Sequence, residues 1–254
     1  IRFAAVVHEE DFIAWGSSMT RTDLYSNAMT PFTTVIMNPP YRKIRSDSHT
    51  RWLLRSAGLE TSNLYSGFLA LAASLLSDGG ELVAITPRSF CNGPYFRPFR
   101  EQFLENVSLQ RVHMFDSRSA AFRGDGVLQE NVILHGKKTK ERPRDVIVSA
   151  SHGPVFSALT ERNCRYAEVV APDDPGKFIH LVVDESQQEV RQRITRLRSS
   201  LRDLGLAVST GRVVDFRAKA YLSRDPKPGA APLIYPCHFN NGFVEWPKSP
   251  SRKP

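Results

Sequence analysis

Short apolar segments rich in β-branched residues alternate with a longer segment of helical periodicity through the first half of the chain. Strands are predicted at residues 3–7, 33–37 and 81–86. Between the last two, apolar residues recur at helical spacing from Leu64 to Leu76, and Gly79-Gly80 provides a stop for the predicted helix. Strands joined through helices are typical of a mainly parallel sheet, so the alternation predicts an α/β fold.

The elements predicted next are a helix at 95–105 and strands at 109–115, 131–135 and 145–149. The first two of these strands can pair as a hairpin across a long, glycine-containing loop. The stretch at 136–144, with three lysines and two arginines, is interpreted as a solvated turn.

The composition changes after about residue 151, where a cluster of prolines and aspartates interrupts the pattern. A strand is predicted at 178–183 and a strongly basic helix at 187–204, whose apolar stripe is expected to pack inward. The last fifty or so residues are rich in proline, glycine and aromatics, which is typical of irregular loops and short strands. We therefore predict two domains, 1–150 and 151–254, the second being part of a smaller α+β domain.

The bulk composition favours a globular protein without a membrane span and with a polyanionic partner. The 254 residues are 41% hydrophobic and 24% charged, as in ordinary globular proteins, and no apolar run is long enough for a membrane span. Three widely spaced cysteines, Cys91, Cys164 and Cys237, favour a reducing, cytoplasmic location and no zinc site. A net charge of +8 and a pI near 9.6 favour a polyanionic partner.

The most informative stretch is the strand at 33–37, which leads directly into Asn38-Pro39-Pro40-Tyr41. Two prolines end the strand and restrict the backbone after Asn38, so the loop is rigid. Loops at the carboxyl ends of parallel strands are where α/β proteins bind ligands. A stiff turn without function is the alternative interpretation.

Such a loop suits methylation of a conjugated amine. The lone pair of an adenine N6 amine is delocalised into the ring, so the amine needs its hydrogens held by acceptors while a methyl donor is aligned. The side-chain carbonyl of Asn38 and the main-chain carbonyl of Pro39 can supply two acceptors aimed at one NH₂ group. Tyr41 can then stack on a base that has been flipped out of the duplex.

These residues resemble the adenine-N6 DNA methyltransferases of restriction-modification systems, in the group whose cofactor motifs precede the catalytic loop. Asn38, Pro39, Pro40 and Tyr41 match the catalytic tetrapeptide of that family. The segment at 8–13 is similar to its cofactor segment, which implies that Asp11 binds the adenine amine of S-adenosylmethionine and Phe12 lies against its ring. Asn38 also belongs to the implied cofactor site.

Further segments extend the resemblance over most of the chain. Residues 63–68 are similar to the start of the helix that borders the cofactor and target pocket, and 79–87 to the turn and strand after it. Residues 121–133 resemble a late motif in which an aromatic, here Phe122, stacks on the flipped base opposite Tyr41. Residues 205–248 resemble linker and target-recognition sequence.

The resemblance implies a Rossmann-like methyltransferase sheet, S-adenosylmethionine as cofactor, double-stranded DNA as partner and no metal. A cognate restriction endonuclease, fused or separate, is a further expected partner. One departure is that the glycine-containing loop that cradles the methionine part of the cofactor is absent before Asp11. We therefore expect the first strands of the sheet to lie in an N-terminal segment of the same protein, and this chain alone to be an incomplete enzyme.

Several alternatives stay open. Related loops serve enzymes that methylate protein glutamine or exocyclic amines of ribosomal RNA, although the long basic extension favours DNA. A DNA-binding or assembly subunit without catalysis is a second class. A hydrolase triad from Asp47, Ser48 and His49 is less favoured than a flap over DNA, and the acidic cluster next to His8 is not expected to hold a metal.

Overall fold

The computed structural model describes residues 4–20, 30–115, 130–151, 159–209, 211, 213–225 and 227–248. The chain divides into two compact units, Ile1–Arg196 and Leu197–Pro254. The predicted domain boundary near residue 150 lies within the first unit, and the functional division at that point stays a prediction.

The first unit is built on a six-stranded sheet with the order β1-β2-β4-β3-β5-β6. Its strands are β1 (Phe32–Met37), β2 (Leu76–Pro87), β3 (Val107–Phe115), β4 (Asn131–Lys138), β5 (Asp145–Ser151) and β6 (Leu159–Arg165). β1, β2, β3 and β5 run in one direction, whereas β4 and β6 run in the opposite direction. The predicted α/β class and the predicted β3–β4 hairpin pairing are confirmed.

Six α-helices accompany this sheet within the described residues. They are α1 (Phe12–Met19), α2 (His49–Ser56), α3 (Leu64–Leu75), α4 (Arg97–Asn106), α5 (Tyr166–Val169) and α6 (Glu185–Thr195). Every residue of α3 except Phe68 and Ser74 is buried, because its sequence is apolar on nearly all sides. α3 packs against β2, α1 and α4, and so forms the centre of the apolar core.

The Gly79-Gly80 pair has a different role from the predicted helix stop. α3 already ends at Leu75, and Leu76 has an extended backbone that begins β2. Phe32 pairs with Leu76 and Thr34 with Glu81, so β2 carries extra residues between these pairs. Gly79 accommodates this irregularity with a left-handed φ of 77°, a conformation that costs glycine little.

Two predicted strands are absent from the described residues. Residues 4–7 pair with no described strand, and Val6 and Val7 are largely exposed. Residues 178–183 make only an isolated bridge between Ile179 and Val170. Both predictions failed for the same reason: a β-prone segment forms a strand only when a neighbouring strand supplies hydrogen bonds along its length.

The basic helix predicted at 187–204 is shorter in the structure. α6 ends at Thr195, and its apolar side chains Val190 and Ile194 are 56% and 60% exposed, so the expected inward packing is wrong. Beyond it, Ser200 and Asp203 exchange side-chain and backbone hydrogen bonds that start a new turn. Such local bonds compete with helix continuation.

The second unit contains short elements, as its composition predicts. Three 3-10 helices, Asp215–Arg217, Lys219–Tyr221 and Pro236–His238, precede a hairpin of β7 (Phe239–Asn240) and β8 (Phe243–Val244). Asn241 and Gly242 connect its strands with positive φ at both positions, as a tight hairpin turn requires. None of the helices in the described ranges is long and apolar enough to cross a membrane.

Candidate active site

The predicted catalytic tetrapeptide follows β1 at one edge of the sheet. β1 and β2 are parallel, so Asn38 and the residues after Pro87 emerge at the same edge. Asn38 and Pro40 are exposed, Pro39 is buried and Tyr41 is half-buried. The tetrapeptide is therefore anchored at one proline while its asparagine remains open to solvent.

The hydroxyl of Tyr41 connects the tetrapeptide to the neighbouring strand. Its oxygen lies 3.1 Å from the carbonyl oxygen of Ile85 in β2 and 3.2 Å from Oδ1 of Asn38. Burial raises the pKa of Tyr41, so the phenol stays protonated near neutral pH and donates its hydrogen toward these two acceptors. Oδ1 of Asn38 has a second lone pair, which leaves it able to accept from another donor.

Tyr65, at the start of α3, forms a wall beside Tyr41. The two rings meet edge to face, with centroids 6.3 Å apart and an interplanar angle of 82°. Tyr65 is buried, its hydroxyl lies 2.9 Å from Oγ of Ser89, and burial raises its pKa far above the usual range. The sequence placed residues 63–68 at the pocket without singling out Tyr65, because its contact with Tyr41 depends on how α3 packs.

The predicted cofactor residues lie at the start of α1. Asp11 caps this helix, with Oδ1 accepting a hydrogen bond of 2.9 Å from the N–H of Ala14, and the carboxylate is exposed. Phe12 stacks on Phe68 of α3, with ring centroids 4.8 Å apart and planes 30° apart. The cofactor segment is therefore attached to the same helix that carries Tyr65.

The two predicted halves of the site meet through α3. Tyr65 contacts Tyr41, and Phe68, about one helical turn later, contacts Phe12. In the ranges that the structure describes, no hydrogen bond or ring contact joins Asp11 or Phe12 directly to the tetrapeptide. Phe122 lies outside the described residues, so its predicted stacking role stays a prediction.

The side chains of the alternative hydrolase triad do not bond to one another. Asp47 pairs with Arg45 at 3.1 Å, and Ser48 donates to the carbonyl of Arg45 and accepts from the N–H of Arg51. His49 stacks on Trp52. These contacts cap and stabilise α2, an element that the sequence prediction missed.

The acidic cluster next to His8 contains one weak ion pair among the described residues. His8 Nδ1 lies 3.8 Å from Glu10 Oε1, with both side chains more than half exposed. Among the residues that the structure describes, no group of three or more His, Cys, Asp or Glu side chains is arranged to hold a metal ion.

An α/β sheet with an aromatic-lined tetrapeptide at its carboxyl edge is the arrangement expected for the class of methyltransferases that the sequence resembles. Residues 3–122 match the family described as Eco57I restriction-modification methylase. The predicted resemblance to methyltransferases of restriction-modification systems is confirmed. The matched range contains the cofactor segment, the tetrapeptide and α3.

Two curated relatives of the chain are named type II methyltransferases. The chain is 43% identical over 246 residues to M.PstI of Providencia stuartii and 45% identical over 241 residues to M.BsuBI of Bacillus subtilis. These alignments cover 97% and 94% of this chain and 48% of each relative, so the chain spans about half the length of the curated relatives it matches.

Solved structures of restriction-modification proteins are also similar to the chain. The type IIG restriction endonuclease BpuSI has a TM-score of 0.48 and 16% identity, over 64% of this chain and 22% of that chain.

Proposed function

We propose that the protein containing this chain transfers a methyl group from S-adenosylmethionine to N6 of an adenine flipped out of double-stranded DNA. The observation that carries the proposal is the exposed Asn38 at the carboxyl edge of β1, whose Oδ1 faces the hydroxyl of Tyr41 at 3.2 Å. That contact favours one orientation of the asparagine amide, with its acceptor fixed by a neighbour.

The chemistry asks the protein to make a planar amine nucleophilic. Oδ1 of Asn38 accepts one hydrogen of the amine through its remaining lone pair, and the carbonyl of Pro39 accepts the other. Both acceptors stabilise the positive charge that develops on the amine nitrogen, and both are positioned before the reaction begins. Since Pro39 is buried and Tyr41 is bonded to β2, little reorganisation is needed.

The residues at the start of α1 suit the adenosyl part of the proposed cofactor, which supplies an electrophilic sulfonium methyl group. Oδ1 of Asp11 is used to cap α1, and within the described chain Oδ2 accepts no hydrogen bond, so it can accept one from an amine. The stacked pair of Phe12 and Phe68 offers an aromatic surface at the same place. Asn38 is proposed to complete this cofactor site from the carboxyl edge of the sheet.

The target base is proposed to stack on Tyr41, with Phe122 on its other face. Tyr41 is half-buried, and its hydroxyl contact and its edge contact with Tyr65 restrict the ring to one orientation. A restrained ring loses little entropy when a base stacks on it.

A nucleic acid is preferred over a protein glutamine because of the net charge of +8. DNA is preferred over RNA because the chain is similar to methylases of restriction-modification systems. Residues 151–254 are proposed to be the linker and the start of a target-recognition domain. A cognate restriction endonuclease, fused or separate, is the proposed partner, and the cytoplasm the proposed location.

Replacement of Asn38 tests the proposal in the intact protein. Asn38→Ala should lower turnover by on the order of a hundredfold or more and leave DNA affinity unchanged, because the lost acceptor acts mainly in the transition state. Asn106→Ala is a matched control, since Asn106 is exposed at the end of α4, directly before β3 and so at the amino ends of the parallel strands. Turnover near the unsubstituted value for Asn38→Ala would remove Asn38 from the mechanism.

The product identifies the base and the atom. Long-read sequencing of DNA modified by the intact protein should find N6-methyladenine at one recognition sequence. Methylation at cytosine, or methyl transfer to a protein or RNA substrate but not to DNA, would overturn the assignment.

A further inference from the structure

The segment after the catalytic tetrapeptide contains five cationic side chains, and they differ in whether they form an ion pair. The five are Arg42, Lys43, Arg45, Arg51 and Arg55. Arg45 pairs with Asp47 at 3.1 Å, and Arg51 and Arg55 both pair with Glu60.

Glu60 is held in its charged form by these arginines. The hydrogen bond from Arg55 and the positive charge of Arg51 and Arg55 lower the pKa of the Glu60 carboxyl, against the opposing effect of burial. Within the described residues, Arg42 and Lys43 form no ion pair, and both side chains are exposed. Their charges are therefore the uncompensated ones of the segment.

The backbone around these two residues is fixed to α3. The N–H of Leu64 donates to the carbonyl of Arg42 at 2.9 Å, and the N–H of Ile44 donates to the carbonyl of Ser62 at 2.8 Å. Ile44 is buried, so it anchors the segment from the side of the core. Arg42 and Lys43 thus start from a positioned backbone instead of a free loop.

The position of the pair relative to Tyr41 suggests its ligand. Consecutive Cα atoms are ~3.8 Å apart, so Arg42 and Lys43 begin within ~8 Å of the residue proposed to stack on the target base. A flipped nucleotide stays attached to the DNA backbone, so the phosphates on its two sides are carried toward the protein together with the base.

We propose that Arg42 and Lys43 form a phosphate-binding site for the two phosphates that flank the flipped nucleotide. This inference rests on the proposed function. The N-terminus of α3 adds partial positive charge beside the pair, because Lys43 is bridged to Asn63 and Asn63 makes no side-chain cap. The pair acts on DNA affinity and on the stability of the flipped state, and Asn38 acts on the methyl transfer itself.

Salt dependence tests whether the pair contacts phosphates. The intact protein with Arg42→Ala and Lys43→Ala together should show a slope of log K against log salt that is less steep by about 1.8, or 0.9 for each lost contact. Lys137→Ala with Lys140→Ala is the matched control, since it removes the same charge from two exposed side chains at the C-terminal end of β4. Equal slopes for the two double variants would overturn the proposal.

Chemical removal of a phosphate charge tests which phosphates are bound. A methylphosphonate on either side of the target adenine should weaken binding by the unsubstituted protein about fivefold, and by the Arg42/Lys43 variant less than about twofold. A methylphosphonate five nucleotides away should weaken binding by both proteins equally. At the target position, the proposal would also be overturned if the loss of affinity from the methylphosphonate and the loss from the Arg42/Lys43 replacement were independent, so that the two factors simply multiply.

The two hypotheses fail in different ways. If the intact protein methylates adenine in DNA but shows multiplicative effects and unchanged slopes, the phosphate site is wrong and the proposed function stands. If the unsubstituted protein neither binds nor methylates DNA, the proposed function is wrong, and the phosphate site falls with it.

Discussion

Arg100 of α4 is the largest fully buried side chain, and its replacement gives a prediction that can be worked from the structure. The residue is 1% exposed, and in the described part of the chain it has no carboxylate partner within ion-pair distance. Its guanidinium donates to the carbonyl of Gly176 at 2.9 and 2.7 Å, to that of Phe90 at 2.9 Å and to that of Gly93 at 2.7 Å. It therefore joins the loop after β2 to a turn more than seventy residues later.

Arg100→Met keeps a long apolar stem and removes every donor. The carbonyls of Phe90, Gly93 and Gly176 lose hydrogen bonds from a charged donor, worth about 1.5–3 kcal/mol for each carbonyl or roughly 4.5–9 kcal/mol together, although the carbonyl of Gly93 keeps the N–H of Phe96. The variant also no longer buries a cation, which returns several kcal/mol of desolvation cost. The burial that lowers the pKa of Arg100 is the same desolvation effect. We expect a net destabilisation of about 2–4 kcal/mol.

Thermal unfolding and hydrogen exchange of the intact protein measure this effect. For a unit of nearly two hundred residues, about 3 kcal/mol corresponds to a Tm lower by roughly 6–12 °C. The amide of Ile179, which donates to the carbonyl of Cys91 at 2.9 Å, should exchange faster because the turn before it is released.

Arg97→Met is the control, since Arg97 lies on the same helix and makes only an exposed pair with Glu101 at 2.8 Å. Such a pair contributes about 0.5 kcal/mol or less. The reasoning is refuted if Arg100→Met and Arg97→Met lower Tm equally and leave the Ile179 amide equally protected.

Two further predictions concern helix packing and pH. A Cβ at Gly16 of α1 would lie 2.6 Å from Cδ2 of Leu71 in α3. Gly16→Val should therefore lower the free energy of unfolding, measured in urea, by about 1–3 kcal/mol. If the loss is as small as for the same substitution at an exposed helix glycine, the close approach of the two helices is contradicted. Burial acts to raise the pKa of Asp174, but N–H donors from Phe178 at 2.8 Å and Gly176 at 2.9 Å outweigh it and lower the pKa below the usual range. The carboxylate therefore stabilises the turn fully above about pH 4 and progressively less as pH falls through the lowered pKa. The Tm difference from Asp174→Asn should be constant above about pH 4 and shrink as the pH is lowered further; a difference that stays constant at acid pH would contradict this.

Periodicity in the sequence predicted the elements whose burial is one-sided or complete. α3, β3 and β5 were found because continuous apolar runs and helical spacing are strong signals in buried segments. β1 was found from its apolar, β-branched run, although none of its six residues is buried in the structure. β6 was missed because its residues, Leu159–Arg165, are mostly polar and form an edge strand that pairs only with β5. α2 was missed because its eight residues contain one buried apolar side chain, Leu54.

The candidate site also has features that the sequence predicts and features that it does not. The tetrapeptide could be predicted, since two prolines after an apolar strand fix a local conformation whatever surrounds them. The contact of Tyr41 with Ile85, forty-four residues away, could not be predicted, and neither could the stacking of Phe12 on Phe68. Both contacts depend on which strand lies beside β1 and on how α1 meets α3, which no local pattern encodes.

The geometry of the site is set by the packing of α3 more than by the loops that carry the reactive groups. A Cβ at Gly67 would lie 2.9 Å from Cδ1 of Leu54 in α2, just as one at Gly16 would meet Leu71, so α3 is closely packed against helices on two sides. Tyr65 and Phe68 occupy the same short stretch of this helix, and a helix does not bend appreciably over one turn. The wall beside the tetrapeptide and the surface beside the predicted cofactor segment therefore keep a fixed spacing. The proposed methyl transfer requires such a spacing because donor and acceptor must lie in line.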